Sequence, residues 1–148
     1  MPLAWRAPPL LGALALVACA CGASQHPGGE PDPCTDVELD VERIWSADVR
    51  AEFMGKGGSI GGQTRQVIAT RLDDLSRDWA MLRRSVCLDH FKRHVIAKER
   101  YVARAECLDE TLAHQRTLIS VLHEGSERVD AYARLEELSR EVGACRGR

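Results

Sequence analysis

The sequence predicts an all-α fold: an antiparallel helical bundle of about four helices, stapled by disulfides. Three observations carry this. Apolar residues recur in alternating steps of four and three over long stretches, which marks helices with one buried stripe. No segment alternates apolar and polar residues with the β-branched and aromatic composition of a strand. Six cysteines occur in 148 residues, a high density for this length, and four of them fall at separated points along the helical part.

The centre of the pattern is a hairpin over roughly Thr64 to Leu122. Its first arm places Ile68, Leu72, Leu75, Trp79, Leu82 and Val86 on one face, within a helix expected from about Gln63 to His90. The second arm places Tyr101, Ala105, Leu108, Leu112, Ile119 and Leu122 on one face, within a helix expected from about Ala97 to His123. A turn near Val95 to Ala97 would put Cys87 and Cys107 at about equal distances from it, facing each other.

An earlier helix is expected from Thr35 or Asp36 to Phe53, with Val37, Val41, Ile44, Trp45, Val49 and Phe53 as its apolar face. Thr35 has an N-cap side chain, and Asp36 and Glu38 suit the positive end of the helix dipole. A last helix is expected from Glu127 to Val142, opened by Gly125-Ser126 and closed by Gly143. Val129, Tyr132, Leu135, Leu138 and Val142 would face inward. Short connections between such helices favour antiparallel neighbours.

The connection Gly55-Lys56-Gly57-Gly58-Ser59-Ile60-Gly61-Gly62 combines glycines with a lysine. It lacks the Gly-Lys-Ser/Thr ending and the preceding strand of a phosphate-binding loop, so a plain inter-helix loop is expected.

The N-terminus carries Arg6, then an apolar run from Leu10 to Ala18. The run falls short of the about 20 residues a spanning helix needs and has the length of a secretory signal core. It ends in Leu16-Val17-Ala18-Cys19, which resembles a bacterial lipobox. An aliphatic residue three positions before the cysteine and small residues directly before it suit a peptidase that cuts ahead of a lipid-modified thiol. Cys21 lacks that aliphatic residue upstream. The expected organisation is a lipoprotein signal peptide at 1–18, a lipidated Cys19 and a flexible tether at 19–33, and a helical bundle at 34–148. The tether is rich in Gly, Pro and Ser, and its His26 reads as solvated. With Ala20 rather than Asp after Cys19, the sorting rule of enteric bacteria places such a protein at the outer membrane, facing periplasm or cell surface. The N-terminal lipid, a palmitate-type acyl anchor, makes the membrane its expected partner. Losing Arg6 with the signal takes the formal charge from −2 to −3, too weak an imbalance to dictate a further one.

An exported chain meets an oxidising compartment, so the cysteines are expected as disulfides. In an up-down bundle Cys34 and Cys145 return to the same end, which predicts Cys34–Cys145 and Cys87–Cys107. The alternative Cys34–Cys87 with Cys107–Cys145 stays open, because Cys87 also lies towards that end. Cys21 has no evident partner. A metal alternative combines Cys87, His90 and His94 on roughly one helical side with Cys107, a Cys2His2-like set. The oxidising compartment and the nearby Lys92 and Arg93 weigh against it, and no cofactor is expected.

Near-balanced charge argues against a nucleic-acid surface. An aromatic content of 5% argues against a broad stacking platform. The chain has no His-Glu-x-x-His or Cys-x-x-Cys motif, and Gly57-Gly58-Ser59-Ile60-Gly61 matches Gly-x-Ser-x-Gly in spacing but lacks the preceding strand of a nucleophile turn. Its adjacent carboxylates, Asp73-Asp74 and Glu136-Glu137, diverge on a helix and read as solvated charges; His114 and His123 read as surface or helix-end residues. No enzymatic activity is therefore expected.

One pattern resembles a known family. Cys34, Trp45, Arg50, Phe53, Leu72-Asp73, Trp79, Cys87, Arg104 and Cys107-Leu108 are spaced as in a helical segment of myxobacterial-type serine/threonine kinases. That segment, marked by Cys and Trp, lies outside the membrane, between the catalytic domain and the tetratricopeptide repeats. The kinase domain and the repeats have no counterpart here, so no catalytic residue carries over. The resemblance implies a sensory or scaffolding module, displayed by a lipid rather than a receptor chain. The expected function is a lipid-anchored envelope protein that binds an envelope protein partner or senses a component there. The alternatives are a structural envelope lipoprotein without a specific ligand, and a metal- or redox-active envelope protein.

Overall fold

The computed structural model describes residues 32–57, 60–124 and 130–148. The expected signal peptide, Cys19, Cys21, His26 and most of the tether lie outside these, as do Gly125-Ser126 and Val129. The described residues form an all-α bundle held by two disulfides: α1 (Val37–Glu42), α2 (Ala47–Gly55), α3 (Gly62–Phe91), α4 (Lys98–His123) and α5 (Ala131–Cys145). Helices α3, α4 and α5 each pack against the other two, and α1 and α2 lie on α3. No described helix is long and apolar enough to cross a membrane.

The two apolar stripes of the hairpin are the core. Ile68, Leu72, Leu75, Trp79, Leu82 and Val86 are buried, and Ala105, Leu108, Leu112, Ile119 and Leu122 face them. Full burial of a large apolar side chain stabilises by roughly 1.5–3 kcal/mol, so this shared face outweighs any local preference. Two buried polar side chains tie the helices together across it. Trp79 Nε1 donates to the Leu108 carbonyl at 2.7 Å, and Gln115 Nε2 donates to Ser76 Oγ at 2.7 Å.

The expected first helix is two helices. The chain kinks over Arg43 to Ser46, and Ser46 Oγ caps α2 by accepting from the Val49 amide at 3.2 Å. Ile44 and Trp45 in the kink are both buried, and Ser46, a residue type favoured at N-caps, starts the next helix. The two pieces run antiparallel to α3. Cys34 bonds Cys87, Glu38 pairs with Arg84 at 3.0 Å, Trp45 reaches Asp73, and the Lys56 carbonyl accepts from Arg65.

The last helix starts and ends later than expected. Asp130 caps it, accepting from the Ala133 amide at 3.1 Å. Gly143 lies inside the helix, and Tyr132 is 42% exposed instead of buried.

The disulfides correct the first expectation. Cys34 pairs with Cys87, and Cys107 with Cys145, at Cα separations of 5.7 and 5.6 Å. Cys34–Cys145 and Cys87–Cys107 do not form. Cys87 lies four residues before the end of α3, whereas Cys107 lies nine residues into α4. At about 1.5 Å per residue the two sit about 6 and 14 Å from the turn, so they are not level across the hairpin.

Candidate functional site

Among the described residues an opening lies along the seam of α3 and α5. Arg71, Asp74, Arg77 and Asp78 line it from α3, and Tyr132, Glu136, Ser139 and Arg140 from α5, around about 620 Å³. A second cleft of about 510 Å³ continues it towards the C-terminal end of α5 and shares Asp78 and Ser139. The floor is apolar, formed by Leu75 and Leu135 in the first cleft and Leu82, Val86 and Val142 in the second. The walls alternate in sign, and Arg77 Nη1 meets Asp74 Oδ1 at 3.0 Å within the first. The seam exists because the apolar stripe of α5 is narrow: Leu135, Leu138 and Val142 enter the core while their neighbours stay outside. Such a lining offers hydrogen-bond donors and acceptors of both charges and one exposed phenol. That suits an extended polar ligand or peptide better than an apolar small molecule.

The residues of the metal alternative do not come together. Cys87 and Cys107 are each spent in a disulfide with another partner. His90 stacks on Tyr101 with ring centres 4.7 Å apart, and its Nδ1 donates to the Ile96 carbonyl at 3.2 Å. His94 sits in the α3–α4 turn with φ 54, in the left-handed region. Among the described residues no group of three or more His, Cys, Asp or Glu could hold a metal ion.

Lys56 of the glycine-rich connection is engaged in the fold. Its Nζ donates to the His123 carbonyl at 2.8 Å and lies 3.4 Å from Glu52 Oε1. It caps the negative end of α4 and is not held out towards a phosphate. Asp73 is not the solvated charge expected of it. It accepts from Trp45 Nε1 at 2.8 Å and from Arg50 Nε at 3.0 Å. Asp74, its neighbour, points to the groove instead. His114 meets Glu141 on the surface at 3.1 Å, and His123 ends α4.

The Cys- and Trp-marked pattern lies within internal contacts. Trp45, Arg50 and Asp73 form one cluster, Trp45 packs edge-on against Phe53 at 6.0 Å, and Trp79 bonds Leu108. Leu72 is fully buried, Arg104 donates to the Arg148 carbonyl at 2.9 Å, and the cysteines are bridged. None of these residues except Arg104 lines either cleft of the groove. Sequence periodicity missed the groove itself, because its residues are ordinary exposed helix positions. Only the pairing of α3 with α5 assembles them.

Among the described residues two carboxylates are displaced in acidity, both away from the groove. The Cys34 amide, which donates to Asp32 Oδ1 at 3.0 Å, and the nearby Lys92 hold Asp32 below the usual carboxylate range. Burial raises Asp109, opposed by Arg83 at 3.5 Å.

The chain matches no family model, and neither curated proteins nor solved structures include a significantly similar one.

Proposed function

We propose that the protein is a lipid-anchored protein of the bacterial cell envelope that displays a helical protein-binding or sensing module and carries out no catalysis. The observation that carries this is Leu16-Val17-Ala18-Cys19 at the end of an apolar run of signal-peptide length. Cys19 would bear the acyl groups, and each buried methylene contributes about 0.8 kcal/mol of anchoring. Two disulfides in a small bundle suit the oxidising compartment such a signal leads to. The proposed location is the outer membrane, facing periplasm or cell surface.

The α3–α5 groove is the proposed contact surface for an envelope partner. Resemblance to the kinase-associated segment is proposed at the level of scaffold, since the residues that carry it hold the helices together. It does not extend to a shared ligand.

Intact mass of the mature protein, with and without reductant, tests the anchor and the bridges together. The expected result is added acyl mass on a chain beginning at Cys19, and loss of membrane association in Cys19→Ser. Membrane association that survives Cys19→Ser sinks the lipoprotein assignment. A pull-down from envelope extract with wild type and Tyr132→Ala tests the groove. Absence of any saturable partner would leave the structural-lipoprotein alternative.

A further inference from the structure

The α3–α4 turn carries cationic and exposed apolar side chains together. Over Phe91 to Val102 the chain carries Lys92, Arg93, Lys98 and Arg100 against one acidic residue, Glu99, although its overall charge is negative. Phe91, Val95 and Val102 stand 41%, 67% and 38% exposed in the same short stretch. Phe91 is held there by Tyr101, with ring centres 5.2 Å apart, and Tyr101 is in turn stacked on His90. Lys92 and Arg93 are occupied by Asp32 at 3.3 Å and Asp89 at 2.8 Å. Among the described residues Lys98 and Arg100 have no acidic partner at ion-pair distance.

The start of the head is fixed beside this turn. Asp32 meets Lys92, and Cys34 is bonded to Cys87 four residues before α3 ends. Cys19 precedes Asp32 by thirteen residues, which at full extension span at most about 47 Å. An anchor at Cys19 therefore pulls on the head from the cationic, apolar end. The Cys34–Cys87 bridge fastens the start of the head to α3 at that end.

We propose that the α3–α4 turn faces and touches an anionic lipid surface. Val95, Phe91 and Val102 enter the headgroup boundary, and Lys98 and Arg100 meet lipid phosphates. This placement rests on the anchoring proposed above. Exposed aliphatic and aromatic side chains beside free cations are the combination that binds anionic bilayer surfaces. Contact at this end leaves the mouth of the first groove cleft, at Tyr132, at the other end of α5. Thirteen residues of helix separate Tyr132 from Cys145, about 20 Å.

The test uses full mature protein reconstituted into vesicles containing phosphatidylglycerol and brominated acyl chains. Val95→Trp supplies a reporter, since Trp45 and Trp79 are buried. Bromine quenches indole only at close range, so tethering alone does not quench it. The expected result is at least about twofold quenching of the residue-95 reporter and little at a control, Tyr132→Trp. Replacing Lys98 and Arg100 together by Gln should lower partition of unlipidated protein onto anionic vesicles about thirtyfold. Equal quenching at the two sites, or none at residue 95 in protein whose mass confirms acylation, overturns the proposal. So does concentration-dependent shielding of that reporter without lipid, which would mark a contact between two copies. If the mass shows no acyl group, the anchoring assignment has failed by itself. Quenching of protein added to preformed anionic vesicles then supports the lipid-contacting turn, and its absence overturns it.

Discussion

Trp79 and Leu108 are joined across the centre of the bundle: the indole nitrogen donates to the Leu108 carbonyl at 2.7 Å, and both side chains are fully buried. The same carbonyl accepts from Thr111 Oγ1 at 2.8 Å. One main-chain oxygen therefore fixes the register of α3 against α4, while the ring fills the space between them. Removing the indole donor leaves the carbonyl with a partner, so the loss is the bond and some volume. Trp79→Phe is expected to cost about 1–2 kcal/mol and Trp79→Ala about 3–5 kcal/mol. Urea unfolding under non-reducing conditions measures both.

The disulfide pairing has a direct chemical readout. Non-reducing peptide mapping should recover the Cys34 peptide linked to the Cys87 peptide, and Cys107 linked to Cys145. Recovery of Cys34–Cys145 or Cys87–Cys107 would contradict the structure. The bridges span 53 and 38 residues, for which restriction of the unfolded chain gives about 4 kcal/mol each. Replacing either pair by Ala should lower unfolding free energy by up to that amount, with the helix content of the folded state retained.

Asp73 is the hinge by which α2 is held to α3. It binds the Trp45 indole and the Arg50 guanidinium, and the ion pair is about one-third exposed. Solvent screening limits the charge contribution, but a hydrogen bond to a charged group still contributes roughly 1.5–3 kcal/mol. Asp73→Ala is expected to cost about 2 kcal/mol and to raise amide exchange in α2 more than in α4 or α5. Uniform exchange across all helices would show that the cluster has no local role.

Asp32 gives a pH dependence of defined sign. Its folded acidity is lowered, chiefly by the Cys34 amide. A carboxylate lowered on folding stabilises above its unfolded pKa of 3.8, and that stabilisation is lost as pH falls through the lower folded value. Asp32→Ala should therefore melt below wild type at neutral pH, with the gap closing in strong acid. Asp109, raised by burial, works the opposite way. Its contribution is full below the unfolded value and lost as pH rises through the folded one. A gap that persists unchanged into strong acid would show that Asp32 acts through something other than its charge.

Helical spacing alone gives the buried faces of α3 and α4. A stripe such as Ile68, Leu72, Leu75, Trp79, Leu82 and Val86 is a local property, because 3.6 residues per turn converts spacing directly into one buried side. The ends of α3 and α4 were legible to within one residue for the same reason, at Phe91 and Lys98 against expected His90 and Ala97. The kink before α2 was half visible in Ser46, a capping side chain followed by Asp48 in the first turn. The rest was hidden because Val37, Val41, Ile44 and Trp45 keep helical spacing up to the break, and all are buried.

The cysteine pairing, the partners of Asp73 and the α3–α5 groove come from the packing of helices against one another. Each depends on how far one helix slides along another. A shift of five residues in axial position, the difference between Cys87 and Cys107 relative to their turn, moves a side chain about 7.5 Å. That distance exceeds the Cα separation a disulfide can span, so an offset invisible to periodicity exchanges one pairing for the other. Helical period fixes the face a residue occupies, whereas packing of complete faces fixes the height at which it meets its partner.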